Sequence, residues 1–121
     1  MNVLIVDDEP AYRRELRCVL EEAGHDVDCL AALAGSDLDR LCRDHDLLVV
    51  DVMLRESVGG LVLAEHLRDH HPEKPMIVIS GFPFDDPSFA TGMGARAFLA
   101  KPFGGSDLLR AIEAVASGVE G

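Results

Sequence analysis

Positive charge is scarce in this sequence. The 121 residues carry 11 Lys plus Arg against 22 Asp plus Glu, a formal charge of −11 at pH 7, and only Lys74 and Lys101 are lysines. A nucleic-acid binder releases counterions through a basic footprint, so this balance argues against one. Long apolar runs are missing too. None reaches the roughly 18 residues of a membrane span. Met1-Asn2-Val3 enters a strand-like segment without the basic n-region or small-residue cleavage site of a secretory signal. The three cysteines (Cys18, Cys29, Cys42) cannot all pair with one another, and their spacing fits no Cys-x-x-Cys or zinc pattern. They are expected as small core or half-buried residues in a reducing cytoplasm. Repeats, low-complexity tracts and linkers are absent. What is present is a globular composition, 48% apolar and 27% charged. The length suits one domain, residues 1–121, which can bury about two-thirds of its unfolded surface without a disulfide or structural metal.

Short apolar runs alternate with helical patterns. Val3-Leu4-Ile5-Val6, Leu47-Leu48-Val49-Val50 and Met76-Ile77-Val78-Ile79 are continuous and rich in branched residues, as strands covered on both faces require. Asp26-Val27-Asp28-Cys29-Leu30 alternates polar with apolar and so belongs at a sheet edge. Ala97-Phe98-Leu99-Ala100 suits the other edge. Leu16, Val19, Leu20 and Ala23 stripe a first helix, with Pro10 in its first turn and Gly24 at its end. Ser36-Asp37-Leu38-Asp39 opens a second helix that turns Leu38, Leu41 and Cys42 inward. Leu63, Ala64 and Leu67 stripe a third, which stops before Pro72. Leu108, Ile112, Val115 and Ala116 stripe the last, with Ser106 as its expected N-cap. The fourth expected helix, within residues 82–95, holds Pro83, Pro87, Gly92 and Gly94 and is therefore expected to be short or irregular. This alternation predicts an α/β, flavodoxin-like, doubly wound parallel sheet of five strands, order 2-1-3-4-5, with helices on both faces.

In such a sheet ligands sit outside the carboxyl ends of the strands, where strands 1 and 3 diverge. There the runs end in Asp7-Asp8, Asp51, Ser80-Gly81 and Lys101-Pro102. Each of these alone is explained by a turn or a helix cap. Four polar strand ends converging on one small space are poorly explained by coincidence. Carboxylates gathered there repel one another and stay ionised together only around a cation. A hard divalent ion with oxygen ligands and several waters, Mg²⁺, suits them and invites a phosphoryl group. An ammonium and a hydroxyl can hold phosphoryl oxygens while one carboxylate acts as nucleophile.

The segments Val3-Leu4-Ile5-Val6-Asp7-Asp8-Glu9-Pro10, Leu48-Val49-Val50-Asp51-Val52-Met53-Leu54, Ile77-Val78-Ile79-Ser80-Gly81 and Gly94-Ala95-Arg96-Ala97-Phe98-Leu99-Ala100-Lys101-Pro102-Phe103 resemble the receiver domains of two-component response regulators. The resemblance runs along the whole chain. It implies a regulatory phosphoacceptor that catalyses only its own phosphorylation and dephosphorylation. Asp51 would accept the phosphoryl group from a phosphohistidine of a sensor histidine kinase or histidine phosphotransfer protein. Asp8, Asp51 and the Met53 carbonyl would ligate Mg²⁺, with Asp7 acting through a metal-bound water. Ser80 and Lys101 would hold phosphoryl oxygens, and Ser80 and Phe98 would form the switch. Such domains usually have a cis peptide before the proline at Lys101-Pro102. The face built by the fourth helix, fifth strand and last helix would be read by a downstream protein or attached output domain, and homodimerisation on phosphorylation is a further expectation. No nucleic acid or membrane contact is implied for the domain itself.

Several residues depart from the pattern or lie outside it. Arg55 stands where the family commonly has proline, in a loop one residue longer than usual. Met53 and Phe82, each two residues beyond a site residue, are expected to shield an acyl phosphate and slow its hydrolysis. His66, His70 and His71 read as a solvated helix face, no third metal ligand being evident on that helix. Arg13, Arg14 and Arg17 read as surface charge; the weaker alternative is a docking surface on the first helix, which Tyr12 on the same turn would anchor. An Asp-nucleophile phosphohydrolase of the haloacid-dehalogenase type needs two Asp separated by one residue, and here they are adjacent. A nucleotide-binding fold needs a Gly-rich turn after strand 1, which Asp7-Asp8-Glu9-Pro10 is not. A pseudo-receiver, an interaction module independent of phosphorylation, normally lacks an acidic or lysine position, and none is missing here.

Overall fold

The fold, a computed structural model, describes residues 1–31, 37–51, 59–80 and 94–117. Its elements in order are β1 (Asn2–Val6), α1 (Pro10–Glu22), β2 (Asp26–Leu30), α2 (Leu38–Asp44), β3 (Leu47–Asp51), α3 (Gly59–His70), β4 (Met76–Ser80), β5 (Ala97–Ala100) and the C-terminal helix α4 (Gly105–Ala116). The strands form one sheet in the order β2-β1-β3-β4-β5, and every pairing is parallel. This is the order expected from the alternating β2 sequence and the continuous apolar runs of β1, β3 and β4. The expected irregular helix within 82–95, the Arg55 loop, Met53, Phe82 and the Ser36 cap lie largely or wholly outside the described residues.

Side chains of each central strand alternate between two apolar layers, because successive Cβ atoms point to opposite faces. Val3, Ile5, Leu47, Val49, Ile77 and Ile79 pack under α1 and α4, against Leu16, Leu20, Leu108, Ile112 and Val115. Leu4, Val6, Leu48, Val50, Met76 and Val78 pack under α2 and α3, against Leu38, Leu41, Cys42, Ala64 and Leu67. Both faces of β1, β3 and β4 are thus dry. Their polar groups can meet water only at the strand ends, and that is what positions a site there.

The helix ends follow their local chemistry, with some corrections. Pro10 opens α1, and Gly24, at φ 95°, closes it. The Gly24 and His25 amides donate to Glu21 O and Leu20 O, the paired bonds of a left-handed glycine cap. For α4 the N-cap is Gly104 and not Ser106. The Gly104 amide donates to Asp107 Oδ2 at 3.0 Å, so the side chain three residues on satisfies the helix entry. The outermost stripe positions, Ala23 and Ala116, are exposed. Of the cysteines Cys42 is buried, but Cys18 is exposed, contrary to expectation, because it lies on the solvent side of α1.

Candidate functional site

Three strands deliver the site. Beyond β1, the Asp7 amide donates to Leu30 O at 3.0 Å, so the ladder to β2 holds this backbone one residue past the strand. Beyond β5, the Lys101 amide donates to Ser80 O at 2.7 Å, carrying the β4–β5 ladder to the lysine. Asp51 is the last residue of β3. These ladders fix the backbones, and the side chains meet above the sheet. Lys101 Nζ lies 2.9 Å from Asp7 Oδ2, 3.0 Å from Asp51 Oδ2 and 2.8 Å from Glu9 Oε1. One carboxylate oxygen from each of Asp7, Asp8, Glu9 and Asp51 lies within 4.8 Å of the others.

The burial is graded. Asp7 is inaccessible and Asp51 is 2% exposed, whereas Asp8 is half-buried and Glu9 is exposed. Among the described residues, the cluster therefore has a dry floor and a wet rim. Asp7 Oδ1 accepts the Glu9 amide at 2.9 Å, and the Asp7 carbonyl accepts Arg13 Nη1 at 2.7 Å. Asp7 Oδ2 is buried and faces the Lys101 ammonium at 2.9 Å. Burial pushes the Asp7 carboxyl above its usual range; the Glu9 amide and Lys101 oppose this in part, and neighbouring Asp51 adds to it. For Lys101, burial favours the neutral amine, but hydrogen bonds to Glu9, Asp7 and Asp51 outweigh it and hold the ammonium above the ordinary lysine range.

The structure thus brings together Asp7, Asp8, Asp51 and Lys101 from among the residues singled out in the sequence. Ser80 ends β4, fully buried, with its carbonyl tied to Lys101. Phe98 is half-buried and packs on the layer shared with α2 and α3. The Lys101–Pro102 peptide is cis. Met53 lies outside the described residues. Three partners were not anticipated. Glu9 joins the lysine. Arg13, read as surface charge, bonds the Asp7 backbone. Tyr12 lies with its ring centroid 4.4 Å from Lys101 Nζ and 5.5 Å from that of Phe103. The ring's negative face adds a cation–π contact to the ammonium. The clue was available in the spacing: Tyr12 falls on the first turn of the helix that starts at the acidic cluster.

Four carboxylates, three of them paired with the single ammonium of Lys101, form an oxygen-donor set with excess negative charge. That set fits Mg²⁺, which takes carboxylate oxygens and keeps several waters.

Among the described residues, no helix is long and apolar enough to cross a membrane. A family model described as "Response regulator receiver domain" matches residues 3–113. The nitrogen assimilation regulatory protein NtrX of Azorhizobium caulinodans is 31% identical over 110 residues, covering 89% of this chain and 24% of that protein. The KDP operon transcriptional regulatory protein KdpE of Escherichia coli is 37% identical over 110 residues, covering 88% of this chain and 47% of that protein. The chain thus spans between a quarter and a half of these relatives. A CheY-like response regulator receiver domain protein from Methanospirillum hungatei superimposes with a TM-score of 0.82 at 28% identity, over 98% of this chain and 94% of that one. A receiver domain protein from Clostridium thermocellum shares the fold at 21% identity, with a TM-score of 0.81 over 97% of this chain and 94% of that one. With the family model matched over nearly its whole length and its strand order shared with these receivers, the chain belongs to the response regulator receiver domain family.

Proposed function

We propose that this domain is a phosphorylation-activated switch in which Asp51 accepts a phosphoryl group from a phosphohistidine. The observation that carries the reading is the contact of Lys101 Nζ with Asp51 Oδ2 at 3.0 Å inside a cluster of carboxylates open at one rim. An Asp51 oxygen attacks phosphorus, an O–P bond forms, the P–N bond to the donor imidazole breaks, and that imidazole leaves with the electron pair and takes a proton. The ammonium of Lys101 neutralises charge on the transferring oxygens without moving far. Ser80, the last residue of β4, would take another oxygen through its hydroxyl. Asp8 and Asp51, with the Met53 carbonyl, would hold Mg²⁺, and Asp7 would orient a water on it. When bound, this ion supplies neutralisation of the carboxylates and a coordinating pole for the phosphoryl oxygens.

Esterifying Asp51 removes one of three anions from Lys101 and adds phosphoryl oxygens, so the ion pairs must redistribute. The reading then continues as a population shift. Ser80 is drawn to the phosphoryl group and Phe98 turns inward. The surface of segment 82–95, β5 and α4 changes shape for a downstream protein, an attached output domain or a second copy of this chain. The phosphodonor would be a sensor histidine kinase or a histidine phosphotransfer protein, and the setting cytoplasmic.

Incubation with Mg²⁺ and acetyl phosphate tests the reading by intact mass and phosphate release. One hydroxylamine-sensitive phosphoryl group per chain, absent in Asp51→Asn and in chelator, is the expected result. Continuous release of phosphate over many turnovers would instead mark a hydrolase. Lack of incorporation by both acetyl phosphate and phosphohistidine donors would mark a phosphorylation-independent interaction module.

A further inference from the structure

We propose that Asp39, His66 and His71 form a second metal site, suited to Zn²⁺, that clasps α2 to α3. Asp39 comes from the first turn of α2, His66 from the second half of α3, and His71 from the residue just after α3. Both histidines point Nε2 at one oxygen, Asp39 Oδ1, at 2.8 and 3.0 Å. One ligand atom from each of the three can lie within 4.8 Å of the other two. A tetrahedral zinc with nitrogens at about 2.0–2.1 Å and a carboxylate oxygen at about 2.0–2.2 Å needs that convergence and little more.

The backbones that carry these ligands are anchored before any ion arrives. Leu38, beside Asp39, and Leu67, beside His66, are both buried in the same apolar layer. The His71 amide donates to Leu67 O at 2.9 Å, and the His71 carbonyl accepts the Lys74 amide at 3.0 Å. The side chains of His66 and His71 are only 24% and 20% exposed, so their rings are held, whereas Asp39 is 61% exposed and leaves an approach from water. His71 Nδ1 faces Glu73 Oε1 at 4.0 Å. In the metal-free fold each Nε2 donates to Asp39 Oδ1, so zinc would take the place of those two hydrogens between the same three atoms.

Donor chemistry decides which ion. Two imidazoles and one carboxylate suit zinc and its neighbours, while Mg²⁺ prefers an all-oxygen shell. Three protein ligands leave a fourth position for water. The site shares no residue with the Asp7–Asp51 cluster. It escapes a search along one helix because the carboxylate comes from the neighbouring one.

Zinc titration of the metal-stripped full chain, in excess Mg²⁺ to occupy the acidic cluster, tests the proposal. One Zn²⁺ per chain is expected, with affinity falling at least about tenfold in Asp39→Asn and further in the His66→Gln, His71→Gln double variant. His70→Gln, whose ring only neighbours that of His66, should bind as the parent does. X-ray absorption should report two imidazoles in the zinc shell. Circular dichroism shows whether each variant folds, and exposed Asp39 makes Asp39→Asn the safest of them. Substoichiometric zinc, or zinc lost in Asp7→Asn while the double variant retains it, would overturn the assignment.

Discussion

Lys101 and Asp51 stand on strands that do not touch. β4 lies between β3 and β5, yet Nζ reaches across the ends of the sheet to within 3.0 Å of Oδ2. The same ammonium also neutralises Asp7 and Glu9. Lys101→Met should therefore destabilise the protein in chelator by about 3–5 kcal/mol, the usual cost of breaking a buried pair. Millimolar Mg²⁺ should restore more of the loss than it adds to the parent. Thermal unfolding with and without Mg²⁺ measures this, and equal Mg²⁺ gains in both proteins would refute it. The raised lysine also sets a sign. Its stabilising contribution is complete below the ordinary lysine value of 10.5 and fades as pH climbs through the higher folded value, so the parent alone should lose this contribution in strong alkali.

Asp7 carries the opposite cost. Its carboxyl is inaccessible and raised by burial, so the folded state holds its proton more tightly than the unfolded chain does. Its contribution to stability is complete below the ordinary aspartate value of 3.8 and is lost as pH rises through the folded value. At neutral pH without metal, the ionised group is a burden. Asp7→Asn keeps the oxygen that accepts the Glu9 amide and should raise the chelated protein's stability by about 1 kcal/mol, a few degrees in Tm. That advantage should shrink on acidification. The same variant should bind Mg²⁺ at least about tenfold more weakly, because Asp7 would orient a metal-bound water. A variant less stable than the parent at pH 7 in chelator would show that the Lys101 pairing outweighs burial.

The sheet order and the strand-end cluster were legible because both follow from one-dimensional patterns. Continuous apolar runs mark doubly covered strands, the alternation of Asp26 to Leu30 marks an edge, and the residue ending each run is a strand end by construction. Contacts between helices leave no such trace. Asp39 and His71 are 32 residues apart and meet only because α2 and α3 lie on one face. His45 was equally silent: it is buried, and its ring nitrogens face Leu41 O at 2.8 Å and Asp28 Oδ2 at 2.7 Å, joining α2 to β2. The α4 cap was misread because Ser106 has the side-chain chemistry of a cap, whereas the N-cap lies two residues earlier at Gly104, whose amide Asp107 accepts.

Met53 and Phe82 yield a kinetic prediction that rests on sequence position and family resemblance, since both lie outside the described residues. Each stands two residues beyond a site residue, Asp51 and Ser80, where apolar bulk would screen the acyl phosphate from water. Phosphorylated protein should decay slowly, and Met53→Asn or Phe82→Glu should speed decay by about tenfold, a barrier change near 1.4 kcal/mol. Loss of the phosphoryl mass over time, in chelator after labelling, provides the rate. Unchanged decay in both variants would remove shielding as the cause.

Gly105 explains why α4 begins where it does. A β-carbon at this buried first residue of the helix would lie 2.5 Å from Val19 Cγ2 and 3.0 Å from Val19 Cβ, so the two helices approach more closely than any side chain allows. Gly105→Ala should cost roughly 1–3 kcal/mol by overpacking, despite alanine's better helix propensity. Val19→Ala removes the opposing methyls and should itself be mildly destabilising, because Val19 is half-buried. In the double variant the new methyl occupies space that valine vacated. The two losses should then fall short of additive by at least about 1 kcal/mol in a thermal or denaturant cycle, as expected for residues in direct contact. Strict additivity would mean that α1 and α4 relax apart under the single substitution, and that the close approach at Gly105 is not what holds the start of α4 in place.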